Sequence, residues 1–137
     1  ASEHPHRIAV DLEFREEKEH RVLAGADALL MPSLYEPCGL TQMRAMRYGA
    51  VPLARRVGGL EDTIEDGATG LLFDDYRPER LDWIIDRAVA RFARPEAWLD
   101  LAETAMHQDF SWERAVERYY DVYDHAFEAR AEALATR

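Results

Sequence analysis

Two short segments of this chain hold residue types that could handle a phosphorylated sugar. The first is Ser33-Leu34-Tyr35-Glu36-Pro37-Cys38-Gly39-Leu40-Thr41-Gln42, with one carboxylate three residues ahead of a glycine. A carboxylate accepts hydrogen bonds from hydroxyls. Gly39 lacks a Cβ, so a ligand can come close to its backbone. If a helix starts here, the N–H groups near Gly39, Leu40 and Thr41 and the positive helix end suit a phosphate. The second segment, Arg55-Arg56-Val57-Gly58-Gly59-Leu60, puts paired glycines at another strand-to-helix turn. A glycine at a helix entry is more often structural, and an acidic residue before proline is commonly solvated surface. By composition alone both readings stay open.

The surrounding pattern says what positions these loops. Arg7 to Phe14 alternates Ile8, Val10, Leu12 and Phe14 with polar residues, the period of a strand. Glu16 to Ala24 reads as a short helix, with Gly25 suited to a left-handed C-terminal cap. The apolar run Asp27 to Met31 has the character of a strand buried on both faces. Cys38 to Tyr48 follows as a helix closed by Gly49. Val51 to Ala54 is the next strand, where Pro52 implies a first residue or an edge. A helix over Leu60 to Glu65, an Asp66-Gly67 turn and a strand at Gly70 to Phe73 complete the alternation.

Thereafter the period is helical. Leu81, Ile84, Ile85, Ala88, Val89 and Phe92 form one amphipathic face, Pro95 suits a first helical turn, and Ser111 is a good N-cap for a final helix. Strand and helix alternating four times is the grammar of a parallel α/β sheet. The expected fold is therefore a partial Rossmann-like sheet of about four strands flanked by helices, with further helices at the C-terminal end. Ligands of such sheets bind beyond the carboxyl ends of the strands, where both loops fall. An open parallel sheet needs cover on both faces, and nothing ahead of Arg7 could supply it. The chain reads as the second half of a doubly wound domain, and an uncovered edge suggests self-association.

Composition sets outer bounds. The 137 residues, 47% of them hydrophobic, suffice for one core. A net charge of −10 disfavours nucleic acid as a partner. No apolar run is long enough to span a membrane. The lone Cys38 excludes an internal disulfide and fits a reducing, cytoplasmic setting.

In order and spacing, Glu36-Pro37-Cys38-Gly39-Leu40-Thr41-Gln42, Arg47-Tyr48-Gly49 and Arg55-Arg56-Val57-Gly58-Gly59-Leu60-Glu61-Asp62-Thr63 resemble successive signatures of bacterial glycogen and plastid starch synthases. Ala24-Gly25-Ala26-Asp27 and Asp109-Phe110-Ser111-Trp112 are similar to the same family, so the likeness runs from about Phe14 to Tyr123. The resemblance implies the GT-B arrangement, in which two Rossmann-like domains face each other. One holds the sugar nucleotide and the other the α-glucan acceptor. The implied reaction passes glucose from ADP-glucose (UDP-glucose in some members) to the non-reducing end of an α-1,4-glucan with retention, using no cofactor and no metal.

Residue by residue, the resemblance makes Glu36 the catalytic carboxylate beside the donor glucose. It gives the amides of Cys38 and Gly39 to the sugar and those of Leu40 and Thr41 to the distal phosphate. Gly58 and Gly59 would line the same pocket, and Phe14 would stack on the base. Residues 1–108 would be the second half of the nucleotide-sugar domain. Residues 109–137 would be the helix that packs back on the acceptor domain. Three positions depart from the family pattern. Val57 replaces threonine, Phe14 replaces tyrosine, and Arg44 stands eight residues after Glu36, where two-glutamate relatives carry a second Glu. The family's diphosphate-neutralising Arg and Lys lie upstream of Ala1, so the chain alone is expected to be inactive.

Other conspicuous residues have plainer readings. Cys38 has no histidine near in sequence, and its neighbours suit a backbone role. His4 and His6 mimic a metal pair on a terminus, while His20, His107 and His125 lack ligand spacing. Arg55 and Arg56 could equally touch phosphate or lie on the surface. Trp83, Trp98 and Trp112 and the stripe Tyr119, Tyr120, Tyr123 suit packing.

Overall fold

The computed structural model describes residues 3–135. Within them a parallel sheet runs in the order β1 (Ala28–Met31), β2 (Val51–Arg55), β3 (Leu71–Phe73). Helices α1 (Glu16–Gly25), α2 (Thr41–Arg47) and α3 (Gly59–Thr63) connect or precede the strands. Helices α4 (Pro78–Phe92), α5 (Pro95–Met106) and α6 (Trp112–Ala135) follow them. The chain divides after Met106 into two compact units, the second formed by α6 and its lead-in.

Strands β2 and β3 are apolar because both their faces are covered, whereas the edge strand β1, expected to be buried on both faces, has no buried residue and leaves Leu30 39% exposed. Val51, Leu53, Leu71 and Phe73 face one way and meet Ile84 and Ala88 of α4 and Trp98 and Leu101 of α5. Ala54 and Leu72 face the other way and meet Met46, Leu60 and Ile64. Alternation thus survives as two apolar sets rather than apolar against polar, which explains the uninterrupted runs. Burial at this level is worth about 1.5–3 kcal/mol per large side chain.

The α/β architecture agrees with the sequence reading, but the described strands number three, not four. The segment from Arg7 to Phe14 forms no strand, and Leu12 and Phe14 are 95% and 80% exposed. A period-two pattern becomes a strand only by pairing, and no described strand pairs with it. Gly25 also departs from expectation. It completes α1 in ordinary helical conformation, and the extended Ala26 ends the helix. Gly49, by contrast, does take the left-handed turn after α2, with φ +80°.

Pro52 sits in the central strand, opposite Leu29 of β1. The N–H of Val51 points toward the β1 side, donating to the Asp27 carbonyl at 3.0 Å. Successive N–H groups alternate sides, so the missing donor of Pro52 falls on the β3 side. The β3 ladder begins only at Leu53–Leu71, one residue later, so no ladder bond is lost. Gly70 fits against the ring: a Cβ there would come within 2.8 Å of Pro52 Cγ and of Ile64 Cγ2.

The helical tail of the first unit follows its period closely. Ile84 and Ala88 are buried, and Trp98 meets Phe92 edge-on at 5.1 Å. Pro78 and Pro95 each open a helix, where the absent N–H costs nothing. In the second unit the Ser111 hydroxyl accepts from the Arg114 N–H at 3.4 Å, a weak N-cap. Helix α6 has no buried residue.

Candidate functional site

Met31 ends β1, and the chain turns through Glu36-Pro37-Cys38-Gly39-Leu40 before α2 begins at Thr41. The expected helix start at Cys38 is therefore three residues too early. Gly39 is the reason, because its φ of +71° is left-handed and cannot continue a right-handed helix. Leu40 returns to right-handed conformation with φ −111° and ψ −25°. Such alternation of hand gathers consecutive N–H groups into an anion-binding concavity. Among the described residues, the N–H groups of Cys38, Gly39 and Leu40 donate to no protein acceptor. What the sequence reading assigned to a helix end belongs here to the turn, since α2 spans only seven residues.

The second loop is locked onto the first. Gly59 N–H donates to the Glu36 carbonyl at 3.0 Å. Gly58 holds φ +47° and ψ −132°, a combination open essentially to glycine alone. A Cβ on Gly58 would run into the Glu36 carbonyl, and one on Gly59 into the Cys38 carbonyl. Both glycines are therefore required by close contact of two main chains. Glu36, Cys38, Gly39, Leu40, Gly58 and Gly59 form one cluster. The half-buried Glu36 carboxylate has no hydrogen-bonding or ionic partner among the described residues.

Gln42 holds this cluster from beneath and is wholly buried. Its side-chain Nε2 donates to the carbonyls of Gly39 at 2.8 Å and Cys38 at 3.2 Å, and to Thr63 Oγ1 at 3.1 Å. Thr63 in turn donates to the Gly59 carbonyl at 2.5 Å. One side-chain amide thus joins the first loop to α3 and, through Thr63, to the second loop. Its Oε1 is buried with no donor facing it. Sequence reading quoted Gln42 without giving it a role; the available signal was a donor side chain three and four residues after two loop carbonyls.

Arg55 and Arg56, for which phosphate contact and plain surface were equally open, both bond to the protein. The Arg55 guanidinium donates to the carbonyls of Asp74 at 3.1 Å, Ser33 at 3.3 Å and Leu34 at 3.0 Å. Its carbon lies 5.6 Å from the centre of the Tyr76 ring. It binds the ends of all three strands together and sets the path into Glu36. Arg56 pairs with Asp74 at 2.8 Å. Arg44 faces α1, bonding Glu19 at 2.9 Å and lying 3.5 Å from Glu16. Tyr48, one turn further, meets His20 Nδ1 at 3.1 Å.

Phe14 is not tied to the cluster; it stands in the extended segment before α1, without a ring contact. Cys38 is an exposed free thiol. Among the described residues no group of three His, Cys, Asp or Glu side chains could hold a metal ion. No described helix is long and apolar enough to cross a membrane. A separate apolar cavity of about 280 Å³ lies among Pro32, Phe73, Tyr76, Pro78 and Leu81 and includes none of the predicted site residues.

Residues 8–102 match the family model described as glycosyl transferases group 1, and the chain belongs to that family. Within it, the chain is 47% identical to glycogen synthase 2 of Nitrosococcus oceani over 132 residues, covering 90% of this chain and 27% of the relative. It is 49% identical to the glycogen synthase of Pseudomonas syringae over 123 residues, covering 90% and 25%. Among solved structures, the catalytic domain of starch synthase IV from Arabidopsis thaliana, bound to ADP and acarbose, superposes with a TM-score of 0.76. The identity there is 35%, covering 83% of this chain and 25% of the plant protein. The chain spans about a quarter of the length of the relatives it matches.

Proposed function

We propose that this chain supplies part of the donor site of a glycogen or starch synthase. That enzyme would transfer glucose from ADP-glucose or UDP-glucose to the non-reducing end of an α-1,4-glucan with retention of configuration. The observation carrying the reading is the Glu36–Leu40 turn, where an unpartnered carboxylate stands beside unpartnered N–H groups and a second glycine loop holds the turn in place. Glu36 accepts from donor-sugar hydroxyls close to the reacting carbon. The turn's amides bind the phosphates and favour departure of the nucleoside diphosphate by stabilising its growing negative charge. That chemistry calls for no cofactor or metal from this segment. The ADP and acarbose in the plant neighbour are a nucleotide and an oligosaccharide, in keeping with a sugar-nucleotide donor and a glucan acceptor.

Phe14, exposed and ahead of α1, takes the adenine face. Helix α6, with Tyr119, Tyr120 and Tyr123 all more than half exposed, docks on the acceptor domain. The chain spans about a quarter of its relatives' length, and by itself it does not transfer glucose and binds nucleotide weakly. A lone exposed thiol suits a reducing, cytoplasmic setting.

Two measurements test the proposal. Calorimetry or NMR titration of the chain should detect weak ADP-glucose binding that Glu36→Ala abolishes while the melting temperature holds. Binding equal in both forms would refute the role of Glu36. Incubation with radiolabelled ADP-glucose and glycogen should give no incorporation, and turnover would refute the claim of inactivity. Response to glucan but not to nucleotide would point instead to a non-catalytic binding module.

A further inference from the structure

The Gln42 side chain suggests how the turn obtains its donor geometry. A trans peptide is planar, with its C=O and N–H pointing in opposite directions. The carbonyl of Cys38 shares a plane with the N–H of Gly39, and the carbonyl of Gly39 with the N–H of Leu40. Gln42 Nε2 draws both carbonyls inward, at 3.2 and 2.8 Å. The Gly39 and Leu40 N–H groups must then point to the opposite, outer side of the turn, and neither meets a protein acceptor among the described residues.

The orphaned Oε1 strengthens the argument. A buried polar atom without a partner is costly, so a donor-free side chain of similar length would relieve a penalty that glutamine imposes. What glutamine brings is its NH2 group. Gly39 makes room for it: a Cβ there would lie 2.5 Å from Oε1 and 2.8 Å from Nε2. The bond to Thr63 then fixes the carboxamide against α3, so its orientation is set independently of the turn it holds.

We propose that Gln42 is a positioning residue: its buried carboxamide turns the Gly39 and Leu40 N–H groups outward to receive the diphosphate of a nucleotide ligand. This rests on the donor-site reading above, moves the Gly39 amide from the sugar, where the resemblance put it, to the phosphates, and adds the residue that orients these donors.

The test compares ADP with adenosine as probes, titrated by NMR into the chain and into its Gln42→Met and Gln42→Glu variants. The wild-type chain should bind ADP better than adenosine, with the Gly39 and Leu40 amide signals moving downfield only for ADP. Both variants should keep their adenosine affinity and lose about tenfold of the ADP preference, the loss expected when charge-assisted bonds of this kind are misdirected. A purely structural role would weaken both probes alike. An ADP preference kept intact in a folded variant overturns the inference and leaves the donor-site reading standing. A wild-type chain with no ADP preference overturns both. Should the variants fail to fold, the wild-type spectra decide: shifts at Gly39 and Leu40 no larger with ADP than with adenosine overturn the inference.

Discussion

Gly59 and Cys38 lie so close that a methyl group on the first would occupy the carbonyl of the second. The contact joins two loops that are about twenty residues apart in sequence and leave the ends of adjacent parallel strands. Neither loop can be moved or rebuilt without the other.

Gly59→Ala should therefore be severe although the residue has an ordinary φ. Relieving the clash requires the loops to part, breaking the Gly59–Glu36 bond, and the cost should be about 3 kcal/mol. Chemical denaturation of the variant and the parent chain measures it. A loss below about 1 kcal/mol would show that the loops separate easily.

Arg55→Met should detach the segment leading into Glu36. Three carbonyls lose a charged donor, at a cost of about 2–3 kcal/mol. Amide exchange at Leu34, Tyr35 and Glu36 should quicken more than exchange in α5. Lysine should restore little, because a single ammonium cannot copy the spread of the guanidinium fork.

Arg44→Glu tests the pairing of α1 with α2. The new carboxylate would face Glu16 and Glu19, turning attraction into repulsion. Partial exposure keeps the effect to about 1 kcal/mol. Added salt should shrink the difference from the parent chain, whereas a salt-independent loss would assign it to packing of the arginine stem.

Asp66 gives the pH signature. Burial alone would raise its pKa, but the Arg87 hydrogen bond, the Leu72 N–H and the charges of Arg87 and Arg56 together hold it below the ordinary 3.8. A carboxyl with a lowered folded-state pKa stabilises the fold at higher pH. Its contribution should be full above pH 3.8 and fade as the pH falls through the lower folded-state value. The melting-temperature gap between the chain and Asp66→Asn should follow that course. A gap unchanged down to pH 2 would mean that the ionised form is not what matters.

Much of this was legible in the sequence, for identifiable reasons. The strand at Val51–Arg55 announced itself because burial on both faces leaves no polar alternation, while Ala28–Met31 carries the same apolar run at the sheet's edge with no residue buried. Gly39, Gly58 and Gly59 stood out because each occupies a place where only the lack of a side chain serves. The Arg7–Phe14 strand misled because alternation shows what a segment could pair with, not whether a neighbour is there. Arg55 and Arg56 stayed open because a guanidinium that binds phosphate and one that binds carbonyls look alike in one dimension. Gln42 was overlooked because its spacing to the two loop carbonyls does not by itself mark a side chain as buried; its third partner, Thr63, lies 21 residues away.

The fit of Gly70 against Pro52 keys β3 to β2. Sliding one strand by a single step, about 3.3 Å, would bring the Leu71 side chain toward space that only a hydrogen can fill. It would also carry Asp74 away from both Arg55 and Arg56. A contact between an imino acid and a missing methyl thus helps to set the strand register, because a one-residue slip would also exchange Leu71 and Leu72 between the two cores.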